Sequence, residues 1–438
     1  MIPSPSPQLQ RELGVFGAIM MGLGSIIGTG VFVSIGIAAG IAGPAVILAV
    51  AIGALVAICN GLNSAQLAAN HAVSGGTYEY GYKYLNSWLG FTAGWMFLVA
   101  KSASAATAAL GFAGYLLNAF RISNRNLLVA IALIAVALFT VIILTGIKRS
   151  NLANIIIVSI TLLSLGFFII AGLPRLASQG LTNLTPFFAT PNQETVNPIT
   201  AVLHASALMF VAYTGYGRIA TLGEEVREPR KTIPKAIILT MIVTMLLYIV
   251  VAIVSVGTVG ADTLSQAATS KAAPLEVAAR SFRIPGSSQI IAIGAITAML
   301  GVLLNLILGL SRVVLAMGRR GDLPRVFGRL NETGTTPFWA VVIVGIAIAL
   351  LVLIGNVKTT WSFSAFSVLI YYAITNLAAL AIPSEGRLYP KAIAWLGLLA
   401  CLFLAFWVEQ QIWLTGLGLI IAGLIWHRVA QTVRNRND

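Results

Sequence analysis

Residues 22–33 read GLGSIIGTGVFV. They lie inside a run from Leu13 to Asn70 that holds no Asp, Glu, Lys or Arg, long enough for two bilayer crossings. Yet four of the twelve are glycine, and Ser25 and Thr29 stand among them. A glycine weakens a helix interior by roughly 1 kcal/mol relative to alanine. Placing so many weak helix formers at mid-span suits either close helix packing through small residues or a deliberate interruption of the helix.

The rest of the chain sets the same membrane context. Of 438 residues, 58% are hydrophobic and only 9% charged, against about 25% charged in soluble domains. Charge-free runs recur at 102–120, 126–147, 150–174, 195–217, 236–261, 284–311, 333–357, 359–384, 392–408 and 410–427. Each approaches the ~20 residues that cross the hydrocarbon as a helix. With the first run divided at Gly43-Pro44, and the run at 102 extended back across Lys101, twelve spans are predicted.

A net charge of +14 could suggest nucleic acid, but its distribution points elsewhere. When loops are assigned alternately to two sides, the N-terminal side holds 18 Lys and Arg against 7 opposite. The positive-inside rule then places both termini in the cytoplasm, and an inner-membrane location is expected. No nucleic-acid partner is expected; the lipid bilayer is. The opening MIPSPSPQLQ lacks the basic start and apolar middle of a signal peptide. Cys59 and Cys401 fall within spans, and His71, His204 and His427 lie far apart, so no metal or cofactor is expected. The glycines, spaced GxGxxxGxG, do not fit a dinucleotide fingerprint. No catalytic residues are predicted.

Span 6, LMFVAYTGYGRIATLGEE (208–225), is also interrupted near its middle, by Thr214, Gly215 and Gly217. Five spans separate it from span 1, so the two run in opposite directions. Paired interruptions in two halves are the sequence mark of an inverted-repeat transporter. An unwound midpoint bares N–H groups for a carboxylate and carbonyls for an ammonium, which suits a zwitterion. The loop GEEVREPRKTIPKA (223–236) reads as a helix end followed by turns at Pro229 and Pro234. The outer segments near 174–199 and 259–287 read as loops.

Four stretches together resemble the amino acid–polyamine–organocation transporter family: GSIIGTGVF (24–32), SGGTYEYGYKYLNSWLGFTAGW (74–95), FVAYTGYGRIATLGEEVREPRKTIPKAI (210–237) and GLSRVVLAMGRRGDLPRVF (309–327). The resemblance implies an all-α integral membrane protein of the LeuT type. It would have twelve helices: an inverted 5+5 repeat with helices 1 and 6 broken, plus two peripheral helices. Residues 13–173 would form the first repeat, 200–383 the second and 391–427 helices 11 and 12, with cytoplasmic tails at 1–12 and 428–438.

Carried over by position, the resemblance implies that Gly28, Thr29 and Gly30 receive the substrate carboxylate. The carbonyls of Ile26, Val211 and Thr214 would receive the ammonium, and Phe210 and Tyr213 would wall or gate the pocket. Two departures bear on coupling. The span 5 stretch NIIIVSITLLSL (154–165) lacks the lysine of some proton-coupled relatives, and span 8 shows no Ser/Thr pair for sodium. Gly217 stands where many relatives carry a polar or acidic residue.

Two charges remain inside the membrane. Lys101 lies many residues from either end of span 3. A central lysine costs about 3 kcal/mol, so it should face the bundle interior or water. It could carry a proton, pair with an acidic substrate side chain, or serve structure alone. Arg218 follows the span 6 break and calls for a partner, Glu224, Glu225 or substrate; these two glutamates, facing Arg227, Arg230 and Lys231, could gate. The expected function is secondary transport of amino acids by alternating access, as proton symport or exchange. A polyamine or other organocation transporter of the same fold is the alternative. A rival of another class is an ion-translocating subunit of a membrane complex, which would want charges spread over several spans.

Overall fold

The computed structural model describes residues 14–71, 75–145, 151–189, 197–220, 226–331 and 336–437. The described residues are helical, with no β-strand among them. In chain order the helices are α1 (Val15–Ile26), α2 (Ile35–Ala42), α3 (Val46–Asn70), α4 (Thr77–Tyr84), α5 (Ser87–Ala119), α6 (Arg125–Leu144), α7 (Asn151–Leu184), α8 (Pro198–Tyr213) and α9 (Gly217–Ala220). They continue as α10 (Pro229–Val259), α11 (Ala261–Lys271), α12 (Pro274–Arg280), α13 (Ser287–Arg320), α14 (Phe338–Val352), α15 (Val357–Leu380), α16 (Lys391–Ala405) and α17 (Gln410–Asn437).

Among the described residues, nine helical stretches are long and apolar enough to cross a membrane, and α14 and α16 are shorter apolar helices. The first stretch, Val15–Asn70, is 56 residues long, enough for two passes. Gly43 marks their junction, with a φ of +60° that side chains other than glycine's rarely adopt. Asparagine caps start several helices. Asn86 accepts from the N–H of Leu89, Asn124 from Leu127 and Asn356 from Lys358, satisfying donors that a helix start leaves bare.

Helix α5 is the bundle's central post. Its segment 100–114, AKSASAATAALGFAG, is nearly all small residues, so α13 and α15 pack closely against it. Further contacts join α3 to α8 and α10, α7 to α10 and α13, and α1 to α10 and α7. Between α3, α15 and α16 lies a buried polar chain. Asn63 donates to Asn376 at 2.7 Å, Asn376 donates to Asn60 at 2.6 Å, and the Asn60 amide lies 3.3 Å from the Cys401 sulfur.

Three expectations need correction. Helix α7 runs on through Pro174 to Leu184, so the outer segment begins as helix. The second outer segment folds into α11 and α12 instead of a plain loop. Pro229 starts α10, and Pro234 lies inside it. Proline suits the first turn, where N–H groups have no intrahelical acceptor, and Pro234 costs that helix only one early bond.

Candidate functional site

Span 1 is broken where its glycines stand. Helix α1 ends at Ile26, and Ile27 turns extended with ψ 106° while still donating to the Leu23 carbonyl at 2.8 Å. Among the described residues Gly28 donates to no backbone carbonyl, and Thr29 and Gly30 open the next helical stretch, where the first N–H groups have no intrahelical acceptor. The chain re-enters helix through a wide π turn, Gly30–Ser34, with Phe32 donating to the Gly28 carbonyl at 3.1 Å. Thr29 is buried, and its hydroxyl has no hydrogen-bond partner. A helix start and an orphan hydroxyl at one turn make a preformed anion cradle.

Span 6 behaves differently from the expected unwound gap. Between α8 and α9 it tightens into a 3₁₀ turn, Thr214–Tyr216, in which Thr214 donates three residues back to Val211. Tightening keeps backbone groups paired in apolar surroundings, where full unwinding would leave several bare. The two interruptions meet backbone to backbone. A Cβ on Gly215 would lie against the Ser25 carbonyl and 2.6 Å from the Ile26 nitrogen, and one on Gly30 would lie 2.8 Å from the Ala212 Cα. These glycines allow the crossing.

Hydroxyls from neighbouring helices hold the exposed carbonyls. Tyr248 of α10 donates to Ile26 at 2.9 Å, Tyr372 of α15 to Thr214 at 3.1 Å, and the Thr214 hydroxyl to Val211 at 2.8 Å. The Ile26 and Thr214 carbonyls keep a second lone pair, whereas Val211 accepts from both the N–H and the hydroxyl of Thr214. Lys101, buried on α5, donates to the Thr214 hydroxyl at 2.9 Å. A cavity of about 40 Å³ lies here, walled by Ser25, Ile26, Thr29, Gly30, Lys101, Ser104, Val211, Thr214 and Trp361 among others. It adjoins a larger one of about 130 Å³, sharing Lys101, Thr214 and Gly215, that runs past Arg218, Asn305, Tyr371 and Tyr372 to Gly75 and Arg312 on the α4 side. On the opposite side Tyr115 donates to the Phe32 carbonyl at 2.6 Å and accepts from the Leu275 N–H of α12.

The structure thus brings Ile26, Thr29, Gly30, Val211, Thr214 and Lys101 to one cavity and Arg218 to the adjoining one. Gly28 stands at the break with its Cα facing Val302 of α13, where a Cβ would come within 2.7 Å. Phe210 and Tyr213 do not wall either cavity. Phe210 packs edge-on against Tyr372, and Tyr213 turns away to stack near Tyr248 and donate to Val50. Tyr371, Tyr372, Trp361 and Phe97 supply the aromatic walls instead, and no local motif marks them. Glu224 and Glu225 lie outside the described residues. Among the described residues no group of three or more His, Cys, Asp or Glu could hold a metal.

A second polar cluster sits beyond α13. The buried Asp322 carboxylate accepts from the Tyr78 and Tyr82 hydroxyls, each at 2.7 Å, and faces the His427 Nδ1 at 3.2 Å. Burial, then the neighbouring Asp322, push the Tyr78 phenol well above its usual range. Arg320 covers the Tyr82 ring at 4.0 Å and pairs with Glu79. The cluster ties α4, the end of α13 and α17 together.

A broken helix crossing a tightened one, over a cavity that Lys101 and Thr214 line inside an apolar bundle, fits transporter architecture. A family model described as amino acid permease matches residues 17–432. The chain belongs to the amino acid permease family. This permease is therefore a multi-pass membrane transporter, not an enzyme. A transporter of Mycobacterium tuberculosis (strain H37Rv) is 35% identical over 432 residues, covering 98% of this chain and 93% of that one. The branched-chain amino acid permease BcaP of Bacillus subtilis is 26% identical, covering 97% and 92%. The methylthioribose transporter of the same organism is 28% identical, covering 83% and 81%.

Proposed function

We propose that this permease carries amino acids across the inner membrane by alternating access, with both termini cytoplasmic and with proton symport or exchange as the coupling. The carrying observation is the helix start at Gly28, Thr29 and Gly30, with the unpartnered Thr29 hydroxyl, opposite the carbonyls of Ile26 and Thr214. An α-carboxylate suits the first and an α-ammonium the second. The similarity to a branched-chain amino acid permease of Bacillus subtilis supports an amino acid as solute.

Twelve crossings arranged as two inverted halves fit the packing. The joined pair α1–α2 and then α3, α5, α6 and α7 make the first five; α8–α9, α10, α13, α14 and α15 make the second. Advancing each member by five spans turns contacts into contacts: α3–α8 becomes α10–α1, α5–α15 becomes α13–α7, and α1–α7 becomes α8–α15. Helices α16 and α17 stand outside this exchange. The cavity reaches toward the α4 side while Tyr115 and α12 seal the other, as in a carrier open to one side at a time.

The test is thermal stabilisation of the purified protein by a panel of amino acids and polyamines. A zwitterionic amino acid should raise the melting temperature. If only polyamines or peptides do so, the amino acid assignment fails. Gly28→Leu should leave a folded protein whose uptake is at least about tenfold lower, since the new side chain presses on Val302 beside the cradle. Uptake at the unaltered rate would remove Gly28 from the site.

A further inference from the structure

We propose that Lys101 receives an acidic group on the substrate's side chain, making the preferred solutes amino acids with a second carboxylate. This rests on reading the cavity as an amino acid site and names the class of amino acid.

Lys101 lies midway along α5 and walls both cavities. Its ammonium donates to one neutral acceptor, the Thr214 hydroxyl, which in turn donates to the Val211 carbonyl. One of three N–H donors is thereby used. Among the described residues no Asp or Glu walls either cavity. The ion-paired acids lie elsewhere: Glu79 with Arg320, Glu276 with Arg280, Glu228 with Lys231 and Glu409 with Lys358, while Asp322 accepts from Tyr78 and Tyr82. A cation buried in a membrane bundle calls for a counter-charge, and the described residues present none at this position.

The α-carboxylate does not need Lys101, because the helix start at Gly28–Gly30, with the unpartnered Thr29 hydroxyl, faces the same cavity. The cavity therefore presents two anion sites and one set of carbonyls for an ammonium. That charge pattern matches a solute with two carboxylates and one ammonium. Arg312 adds positive charge along the adjoining cavity toward the α4 side, which attracts anions and repels cationic amino acids and polyamines.

Glutamate and glutamine decide the matter, being nearly the same shape and differing by one charge. Thermal stabilisation of the full-length protein in detergent gives the affinity of each. Glutamate or aspartate should bind roughly tenfold or more tightly than its amide, the range of a charge-assisted hydrogen bond, and lysine and spermidine should not compete. Lys101→Met should erase the difference between glutamate and glutamine, and Lys101→Arg should keep it. Equal affinities in the unaltered protein overturn the inference while leaving the amino acid reading in place, and this comparison needs no variant to fold. The inference also fails if Lys101→Met retains the preference for glutamate, or if chloride stabilises the protein and glutamate adds nothing. If no amino acid binds at all, the amino acid reading fails with it.

Discussion

Gly215→Ala is expected to reduce uptake at least a hundredfold, the largest loss from any single methyl group in the protein. The added Cβ would lie against the Ser25 carbonyl and 2.6 Å from the Ile26 nitrogen. Both are backbone atoms that cannot swing aside as a side chain would, so helices α1 and α8 must part. Overpacking in a close-packed core costs about 1–3 kcal/mol, enough to weaken the fold without abolishing it. The displacement falls on the cradle itself, and a shift near 1 Å in a binding constellation costs far more in function than in stability. Transport assay and melting curve together check this: uptake should vanish while a cooperative transition persists. Gly217→Ala is the control, because its Cβ would meet only the Tyr372 hydroxyl, at 3.2 Å. Equal uptake by the two variants would show that the crossing is not where transport depends on close approach.

Asp322→Ala is expected to produce the largest loss of stability from a polar substitution. It removes the acceptor of the Tyr78 and Tyr82 hydroxyls and the partner of His427. Each buried group left unpaired costs about 1–3 kcal/mol, offset where water reaches the site. A net loss of about 2 kcal/mol and a melting temperature several degrees lower should follow. The Trp426 indole donates to the Asp322 main-chain carbonyl at 2.8 Å, which the substitution spares. Helix α17 should therefore remain attached, loosened at one end. Proteolysis near the α4 turn should rise, and an unchanged melting curve would mean that water already serves those hydroxyls.

The membrane class and the position of the first break were legible because both are local. A charge-free run can be counted, and the mid-span glycines of span 1 are matched by a second interruption in span 6. Lys101 was legible for the same reason, as a lone cation in an apolar stretch. The cavity walls were not. Tyr372 meets Thr214 across more than 150 positions of sequence, with Tyr371 lining the same cavity, and no local pattern shows which way their helix is rotated. Phe210 and Tyr213 precede the second interruption in sequence, yet within α8 both stand off the cavity, against Tyr372 and Tyr248. The mildness of that interruption is also non-local, since it depends on Gly215 lying against Ser25. Pro234 looks like a turn in sequence but is tolerated in helix, because its lost bond falls early in a 31-residue element.

The sulfur of Cys401, buried among Asn60 and Asn376, can be reached by a thiol reagent only when α3, α15 and α16 separate. Its rate of alkylation therefore clocks the parting of those helices, in the unaltered protein and without an attached label. Cys59, partly exposed on α3, reacts on its own schedule and supplies the internal reference. A solute that slows one thiol and not the other would reveal which side of the bundle it holds shut.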